Sequence, residues 1–333
     1  MHTINVNIAL NPKIKHTQKL FMKKINVLIL LLVVAIASKV TAQELPFKDC
    51  IDAPLEDFNS SVLTSQLYSQ ISKDPTMKRL VDQKKMAVGI VSLDDPNAIQ
   101  YAGLNGEEMM YAASLPKIAI LLSAMDAIDK GELKETAEIK KDMWLMISKS
   151  NNQASTRMID RLGYDKISSV LQSDKYKLYD KAHGGGLWVG KRYAAAGERR
   201  PDPIKGLSHA ATAEQVCRFY YKLVTGKLVS PERSKAMLDI MENPSLHHKF
   251  VNTLERIAPN ARLFRKSGSW KQYHSDSILV WGDNGRKYIL VALVEDPNGE
   301  QIIRNLVFPV EKAIQKSRTL LASATKGAGS IGD

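Results

Sequence analysis

Length, composition and charge exclude several classes of protein. The chain has 333 residues, of which 44% are hydrophobic, so it can bury the core of one large domain or of two intertwined subdomains. The formal net charge is +12, but the lysines and arginines form no stripe with interleaved aromatic residues, so we expect no nucleic-acid partner.

The N-terminus has the pattern of a signal peptide. Lys23-Lys24 precede a short apolar run over 25–38, and small residues stand at the expected cleavage positions over 40–42. The run is too short for a membrane span, and no second hydrophobic stretch of spanning length follows it. We therefore predict a signal peptide over 1–42, a periplasmic or secreted protein, and no stable membrane anchor after cleavage.

The two cysteines leave a disulfide open. Cys50 and Cys217 could pair in an exported protein, but the sequence alone cannot bring them together. Neither has the spacing of a metal ligand. His247-His248 lies beside Asn243-Pro244, a loop signal that indicates surface rather than a metal site. We therefore expect no metal and no organic cofactor.

The segments after the leader predict helices followed by a hairpin. Residues 55–80 have a helical pattern that Asp74-Pro75 interrupts. Two strands are predicted over 86–93 and 98–104, because the four residues between them, Asp-Asp-Pro-Asn, supply turn chemistry.

A buried helix with a serine and a lysine at its start comes next. Only two residues are polar over 118–128, so this helix belongs in the middle of a domain. Ser114 and Lys117 are three positions apart and therefore share a face, and Pro116 fits only a first helical turn. A neutral amine could activate the serine hydroxyl; the alternative is a helix cap followed by a solvated lysine.

The middle and the C-terminal parts of the chain differ in pattern. Helical periodicity with long loops dominates over 132–259, and the Gly-rich stretch 180–209 has no sustained period, which indicates a functional loop. The remaining predicted elements are strands over 262–270, 277–281 and 288–294 and a last helix over about 303–321.

Strands at both ends of a helical middle predict the fold class and the domains. We expect an α+β protein in which helices flank the sheet and an all-α subdomain is inserted. The predicted domain covers 43–321, with an α/β lobe from 43–113 and 260–321, an α lobe over 114–259, and a tail over 322–333.

Two further short motifs can each be interpreted in two ways. Ser150-Asn151-Asn152 lies at a break between two helices, where it can be an N-cap or a proton relay with an amide donor for a substrate. Lys266-Ser267-Gly268 lies on a strand edge, as an exposed lysine beside a glycine bulge or as a site for a substrate carboxylate. Taken alone, each motif favours the structural interpretation.

The joint order of the motifs changes this balance. Ser-x-x-Lys, Ser-x-Asn and Lys-Ser-Gly, beginning at Ser114, Ser150 and Lys266, resemble the three signatures of the penicillin-recognising serine enzymes. Over about 86–315 the chain is most similar to class A β-lactamases and their penicillin-binding relatives. The resemblance implies a β-lactamase-like fold with an antiparallel five-stranded sheet, and an exported, cofactor-independent serine hydrolase for a small-molecule β-lactam or a D-Ala-D-Ala peptide. We expect a monomer.

The resemblance also implies roles for the residues of the first two motifs. Ser114 would be the acylated nucleophile and Lys117 its activating partner. Ser150 would relay a proton to the leaving nitrogen, and Asn152 would hold the acylamide side chain of the substrate.

The third motif would bind the substrate and its developing oxyanion. Lys266 and Ser267 would bind the carboxylate, and Gly268 would let the substrate backbone approach like an added strand. The oxyanion hole would consist of the backbone N–H groups of Ser114 and Ser269.

Two features depart from the class A pattern. Ser114 and Ser150 are 36 positions apart, which is closer than in a typical class A enzyme and shortens a wall of the cleft. The Glu-x-x-Leu-Asn deacylation motif is missing from 180–209. Glu198 is the nearest candidate for the deacylating base, and the alternative is a loop acid paired with the arginines that follow it.

The missing motif leaves three functions open. If Glu198 activates water, the protein is a β-lactamase. If nothing does, a β-lactam acylates Ser114 and stays, as in a penicillin-sensitive D-Ala-D-Ala carboxypeptidase-like enzyme acting on peptidoglycan. The third possibility is a catalytically silent binder of β-lactams or muropeptides.

Overall fold

The centre of the fold is an antiparallel sheet whose strands come from both ends of the described chain. The computed structural model describes residues 45–47 and 53–328. The strands of the sheet are β1 (Met86–Ser92), β2 (Gln100–Leu104), β8 (Arg262–Trp270), β9 (Tyr273–Trp281) and β10 (Lys287–Glu295). Their order is β2-β1-β10-β9-β8, so β8 is an edge strand.

Short strands lie in the segments between β2 and β8. They are β3 (Met110–Tyr111), β4 (Tyr179–Asp180), β5 (Gly185–Gly186), β6 (Trp188–Val189) and β7 (His209–Ala211). The strands β3, β7 and β6 form a second small sheet, and β4 pairs with β5. The predicted loop over 180–209 is therefore fixed at both of its ends by short strands.

Helices cover the sheet and fill the middle of the chain. Their bounds are α1 (Ser61–Ile71), α2 (Pro75–Asp82), α3 (Lys117–Asp129), α4 (Ala137–Ser148), α5 (Asn152–Leu162), α6 (Tyr164–Gln172), α7 (Ala213–Val224), α8 (Pro231–Met241), α9 (Phe250–Ile257) and α10 (Gly299–Ala328), with 3-10 turns at Leu55–Phe58 and Lys181–His183. Several of these helices begin at a side-chain N-cap, and the caps are Ser60, Asp74, Thr136, Asn151, Thr212 and Ser230.

Both faces of the sheet are buried. Successive side chains of a strand point to opposite faces, so Val88 and Ile90 of β1 pack in the core under α10, whereas Ala87 and Val91 pack in the core under α7. Every residue of β1 is buried as a result. This double coverage explains why the strand has a continuous apolar run rather than an alternating pattern.

The helix α3 lies inside the larger core, as predicted. Its residues from Lys117 to Ile128 are all buried, because α4, α5, α6 and α8 surround it. Pro116 occupies the N-cap, where its missing N–H leaves no helical hydrogen bond unmade. The start of this helix therefore has a fixed position relative to the rest of the protein.

The predicted fold class is confirmed, with small differences at element ends. β9 begins at Tyr273 rather than at Ser277, and α10 continues to Ala328, into the segment predicted as a tail. The lobe boundaries stay predictions. The predicted signal peptide over 1–42 and Cys50 lie outside the described residues, and none of the helices within 45–47 and 53–328 has the length and hydrophobicity of a membrane span.

A buried ion pair joins β8 to β9. The Arg265 guanidinium donates to both carboxylate oxygens of Asp276, at 2.7 and 2.8 Å. Neither side chain is exposed by more than 2%. Arg265 also donates to the carbonyl oxygens of Leu246 and His248, at 2.6 and 3.1 Å, so the pair holds the segment before α9 against the edge strand.

We predict that Asp276→Ala destabilises the protein by about 3–5 kcal/mol, because it leaves the Arg265 charge buried without its partner. Asp239→Ala is the control: it breaks an exposed pair with Lys235 and should cost less than about 1 kcal/mol. Urea unfolding of both variants measures the difference. Equal and small losses would contradict the structural role of the buried pair.

Candidate active site

Ser114 lies in the turn that leads into α3, three residues before Lys117, and lines a cleft of about 520 Å³. The residue before it, Ala113, has φ +51°, a left-handed conformation that is uncommon for a residue with a side chain. Tyr193 donates from its hydroxyl to the Ala113 carbonyl oxygen at 3.2 Å, which helps to hold this turn. Such backbone conformations are found where a structure fixes a functional side chain.

Lys117 lies one turn further on and is fully buried. Its Nζ donates to the Ser150 carbonyl oxygen at 2.6 Å and to Asn152 Oδ1 at 2.8 Å, and it lies 3.4 Å from Ser150 Oγ. Burial lowers the pKa of Lys117 to about 7, because a charged amine loses its hydration inside the protein. A large fraction of this amine is therefore neutral at neutral pH.

Ser150 is the meeting point of two amines. It lies between α4 and α5 with φ +53°, again a left-handed conformation for a non-glycine residue. Lys266, on β8, places its Nζ 3.0 Å from Ser150 Oγ. The same amine donates to the Ser267 carbonyl oxygen at 2.6 Å. The structure thus brings Lys117, Ser150 and Lys266 together from three separate parts of the sequence.

The environment of Lys266 also favours its neutral form. The side chain is buried, and this burial is the main cause that lowers its pKa well below the usual value. The neighbouring charge of Lys117 is the next cause in the same direction, since two amines in one site oppose each other's protonation. The two amines can therefore exchange protons with the one serine hydroxyl between them.

Gly268 brings the edge strand against the start of α3. A Cβ at this position would lie 2.5 Å from both the Ala112 carbonyl oxygen and the Ser114 nitrogen, which is too close for any side chain. Ser269 follows it and lines the cleft together with Ser114. Gly268 is thus required for the close approach of the Ser269 backbone to Ser114.

The predicted substrate-binding residues lie around this cluster. Asn152 lines the cleft, and its Oδ1 accepts from Lys117, so its amide NH₂ is the group that can donate to a ligand. Ser267 is buried beside Lys266. Gly268 and Ser269 follow Ser267 in β8. The roles of these residues in substrate binding stay predictions.

Glu198 does not join the cluster. Its carboxylate is 59% exposed and accepts from Arg200 at 2.6 Å, which is the arginine-paired loop acid of the alternative interpretation. The structure gives it no contact with Lys117 or Ser150 among the described residues. Its position therefore favours the alternative interpretation, and its role as the deacylating base stays a prediction.

Tyr193 occupies the face of Lys117 that the long loop covers. The amine lies 4.5 Å from the centre of the Tyr193 ring. The ring also packs on His209 at a centroid distance of 4.3 Å. Among the described residues no carboxylate contacts Lys117, and burial is the one resolved cause of its pKa shift. Tyr193 was not among the residues predicted from the sequence, because a tyrosine in an irregular Gly-rich loop carries no signal of its orientation.

His209 is a further titratable group in the cleft wall. Burial lowers its pKa to about 4, so the ring is neutral at neutral pH. Its Nε2 lies 3.0 Å from the Lys191 carbonyl oxygen, which can only accept, so this nitrogen carries the hydrogen. The Ser208 hydroxyl lies 3.2 Å from Nδ1. Both ring nitrogens are therefore engaged within the wall.

The fold is that of β-lactamase-like enzymes. Similar solved structures include the β-lactamase from Sphaerobacter thermophilus DSM 20745, with 17% identity, TM-score 0.58 and coverage of 76% of this chain and 97% of that chain. A class A β-lactamase from Bacteroides cellulosilyticus DSM 14838 has 16% identity, TM-score 0.57 and coverage of 77% and 100%. A point mutant of PBP-A, in an acyl-enzyme complex with penicillin G, has 22% identity, TM-score 0.56 and coverage of 78% and 98%.

Sequence comparison identifies the family. Among curated proteins none matches this sequence. Residues 73–144 and 134–314 match the Beta-lactamase enzyme family, which is more than half of the chain. The protein therefore belongs to the Beta-lactamase enzyme family, and the family resemblance inferred from the three motifs is confirmed.

We predict that Gly268→Ala lowers the rate at which a β-lactam labels the protein by about tenfold or more, because the added methyl pushes β8 away from Ser114. Gly206→Ala is the matched control, since its Cβ would meet nothing within 4 Å; its φ of +70° should cost about 1 kcal/mol of stability and leave labelling unchanged. Labelling is followed by intact-protein mass spectrometry. Equal labelling rates for the two variants would show that the close approach of β8 does not matter.

Proposed function

We propose that this protein is a serine hydrolase that opens the β-lactam amide through an ester at Ser114. The observation that carries the proposal is the position of the Ser150 hydroxyl, 3.0 Å from Lys266 Nζ and 3.4 Å from Lys117 Nζ, beside the cleft that Ser114 lines. A hydroxyl between two amines with lowered pKa values can pass a proton in either direction. Membership of the Beta-lactamase enzyme family supports the same reaction.

We infer the acylation step from the family resemblance and from the three-residue spacing that puts Ser114 and Lys117 one helical turn apart. Neutral Lys117 takes the proton of the Ser114 hydroxyl, and Ser114 Oγ forms a bond to the carbonyl carbon of the lactam. The negative charge that develops on the carbonyl oxygen is held by the backbone N–H groups of Ser114 and Ser269. The carbon–nitrogen bond then breaks, and the nitrogen takes the hydroxyl proton of Ser150. The Lys117 ammonium passes the proton that it took from Ser114 to the Ser150 oxygen, which leaves Lys117 neutral.

Substrate binding uses the residues around the cluster. The amide NH₂ of Asn152 donates to the acylamide group of the substrate. Lys266 and Ser267 bind the substrate carboxylate, whose negative charge would raise the pKa of Lys266 on binding. The substrate lies along the open edge of β8, with the Gly268 position leaving room for its backbone.

One observation favours a second candidate function. Rapid release of the acyl group requires a base that activates water, and the loop presents the Tyr193 ring to Lys117 where a carboxylate could have served. Such a site forms the ester and keeps it. The second candidate is therefore a penicillin-sensitive D-Ala-D-Ala carboxypeptidase-like enzyme, and the acyl-enzyme complex of a PBP-A mutant with penicillin G, a structure of similar fold, is consistent with it.

Export belongs to the same proposal. The basic pair and apolar run over 1–42 favour a signal peptide, which would deliver the enzyme to the periplasm or the medium. β-Lactams and peptidoglycan peptides occur in those compartments. The monomeric state stays a prediction.

We predict that purified protein gains the mass of one β-lactam at Ser114 and that Ser114→Ala gains none, because the replacement removes the attacking oxygen. The variant should unfold within about 1 kcal/mol of the wild type, since Ser114 is only half buried. Peptide mapping by mass spectrometry after incubation with a chromogenic cephalosporin locates the adduct, and product formation beyond one equivalent separates turnover from a single burst. An adduct on the alanine variant would refute the assignment.

We predict that Tyr193→Glu shortens the lifetime of the penicilloyl adduct about tenfold or more, because it places a carboxylate next to Lys117. Tyr193→Phe is the matched control; it keeps the ring, loses the hydrogen bond to Ala113 and should leave the adduct long-lived. The adduct is followed by mass spectrometry after excess penicillin is removed. A wild-type adduct that disappears within seconds would reject the second candidate function in favour of the β-lactamase.

A further inference from the structure

A third buried lysine lies on the far side of the strand that carries Lys266. Lys249 stands immediately before α9, with no exposed surface and a φ of +55°. A left-handed backbone at a lysine is uncommon, and it directs this side chain into the protein rather than into solvent. Lys249 has no part in the reaction steps described above, so its burial calls for a separate explanation.

The Lys249 amine contacts three oxygen atoms of the two strands β8 and β9. Its Nζ donates to the Gly268 carbonyl oxygen at 2.5 Å, to Ser269 Oγ at 2.8 Å and to the Ser275 carbonyl oxygen at 3.0 Å. All three acceptors are uncharged, and an ammonium has three hydrogens to donate. The geometry matches the donor capacity of a protonated lysine, which forms its strongest hydrogen bonds in this state.

The Gly268 carbonyl belongs to the same peptide as the Ser269 N–H. In a trans peptide these two groups point in opposite directions, so Lys249 lies on the opposite side of this peptide from the Ser269 N–H. The Ser275 hydroxyl donates to the Ala112 carbonyl oxygen at 2.7 Å, and its oxygen lies 3.4 Å from the Gly268 carbonyl oxygen, so Lys249 is the principal donor to Gly268. Hydrogen bonds to a carbonyl polarise its peptide and make the N–H on the other side a stronger donor.

We propose that Lys249 is a positioning residue for the oxyanion hole: by donating to the Gly268 carbonyl and the Ser269 hydroxyl, it fixes and polarises the Gly268–Ser269 peptide whose N–H faces Ser114. The inference rests on the proposed function, in which that N–H holds the negative charge of the tetrahedral intermediate. Lys249 itself touches no reacting atom. Its contribution is greatest when negative charge is present in front of the peptide, that is, in the transition state.

The sequence around Lys249 agrees with a dedicated role. Phe250, the first residue of α9, donates from its backbone N–H to Asp276 Oδ2 at 3.2 Å, and Asp276 in turn pairs with Arg265. The backbone on which Lys249 stands is therefore tied to both β8 and β9. A lysine that served only to fill space could be replaced by an apolar side chain without loss of these backbone contacts.

The experiment compares Lys249→Met, which keeps the length of the side chain and removes the charge, with Lys249→Arg, which keeps the charge. Two probes are used with the purified protein. Phenylboronic acid has no carboxylate and forms a tetrahedral adduct with a serine oxygen, so its affinity reports on the oxyanion hole alone. A chromogenic cephalosporin separates the acylation rate constant from the dissociation constant of the first complex.

We expect Lys249→Met to lower the acylation rate constant and the phenylboronic acid affinity by about 10- to 100-fold. These losses are smaller than the loss expected when an oxyanion donor itself is removed. The dissociation constant of the cephalosporin should change by less than about threefold. Lys249→Arg should recover at least part of both losses. If Lys249→Met fails to fold, Lys249→Gln replaces it; Lys249→Gln keeps a donor without the charge, and we expect an intermediate loss.

Three results would overturn the inference. Unchanged phenylboronic acid affinity with a weakened cephalosporin complex would make Lys249 a binder of the substrate carboxylate. Unchanged values for both probes would make it a structural residue only. If the wild type forms neither adduct, the proposed function is wrong, and this inference is wrong with it. If the wild type is labelled normally and Lys249→Met behaves like it, only this inference is wrong.

Discussion

Two buried lysine amines share one serine hydroxyl, and the rest of the site depends on this contact. Lys117 and Lys266 both approach Ser150 Oγ from inside the protein, where water cannot solvate an ammonium. Burial lowers the pKa of both amines, and the charge of Lys117 lowers the pKa of Lys266 further. A protein gains no stability from such an arrangement, and it persists because the surrounding elements hold it in place.

Those elements come from distant parts of the chain. The helix α3 supplies Lys117, the break between α4 and α5 supplies Ser150, and the edge strand β8 supplies Lys266. The apolar surroundings of α3 fix Lys117, and the Asn151 cap of α5 helps to fix Ser150. The hydrogen bonds between β8 and β9 fix Lys266. Ala113, directly before Ser114, and Ser150 both have a left-handed backbone conformation, which is often found where a structure fixes a functional side chain.

The sequence predicted the features that local patterns determine and missed those that the tertiary arrangement determines. The spacing of Ser114 and Lys117 and the apolar run of α3 identify an element without knowledge of its neighbours, and the joint order of the motifs then identified the cluster. Glu198 was chosen for its position in the chain, yet an arginine two residues away holds it at the surface. Tyr193 reaches Lys117 only through the path of an irregular loop. Lys249 lies in a segment that resembled a surface loop, and its inward direction depends on one backbone angle that composition does not reveal.

Activation of Ser114 requires a neutral Lys117 amine, and an NMR titration measures the protonation state of this side chain. Protein labelled with carbon-13 at the lysine ε positions is followed by NMR between pH 5 and 10, and the Lys117→Arg variant identifies the signal. We expect a signal that titrates at about pH 7, with the amine charged below that pH and able to act as a base above it. If the Lys117 signal titrates near the ordinary lysine value of about 10.4, Lys117 is charged at neutral pH and does not activate Ser114 as a base.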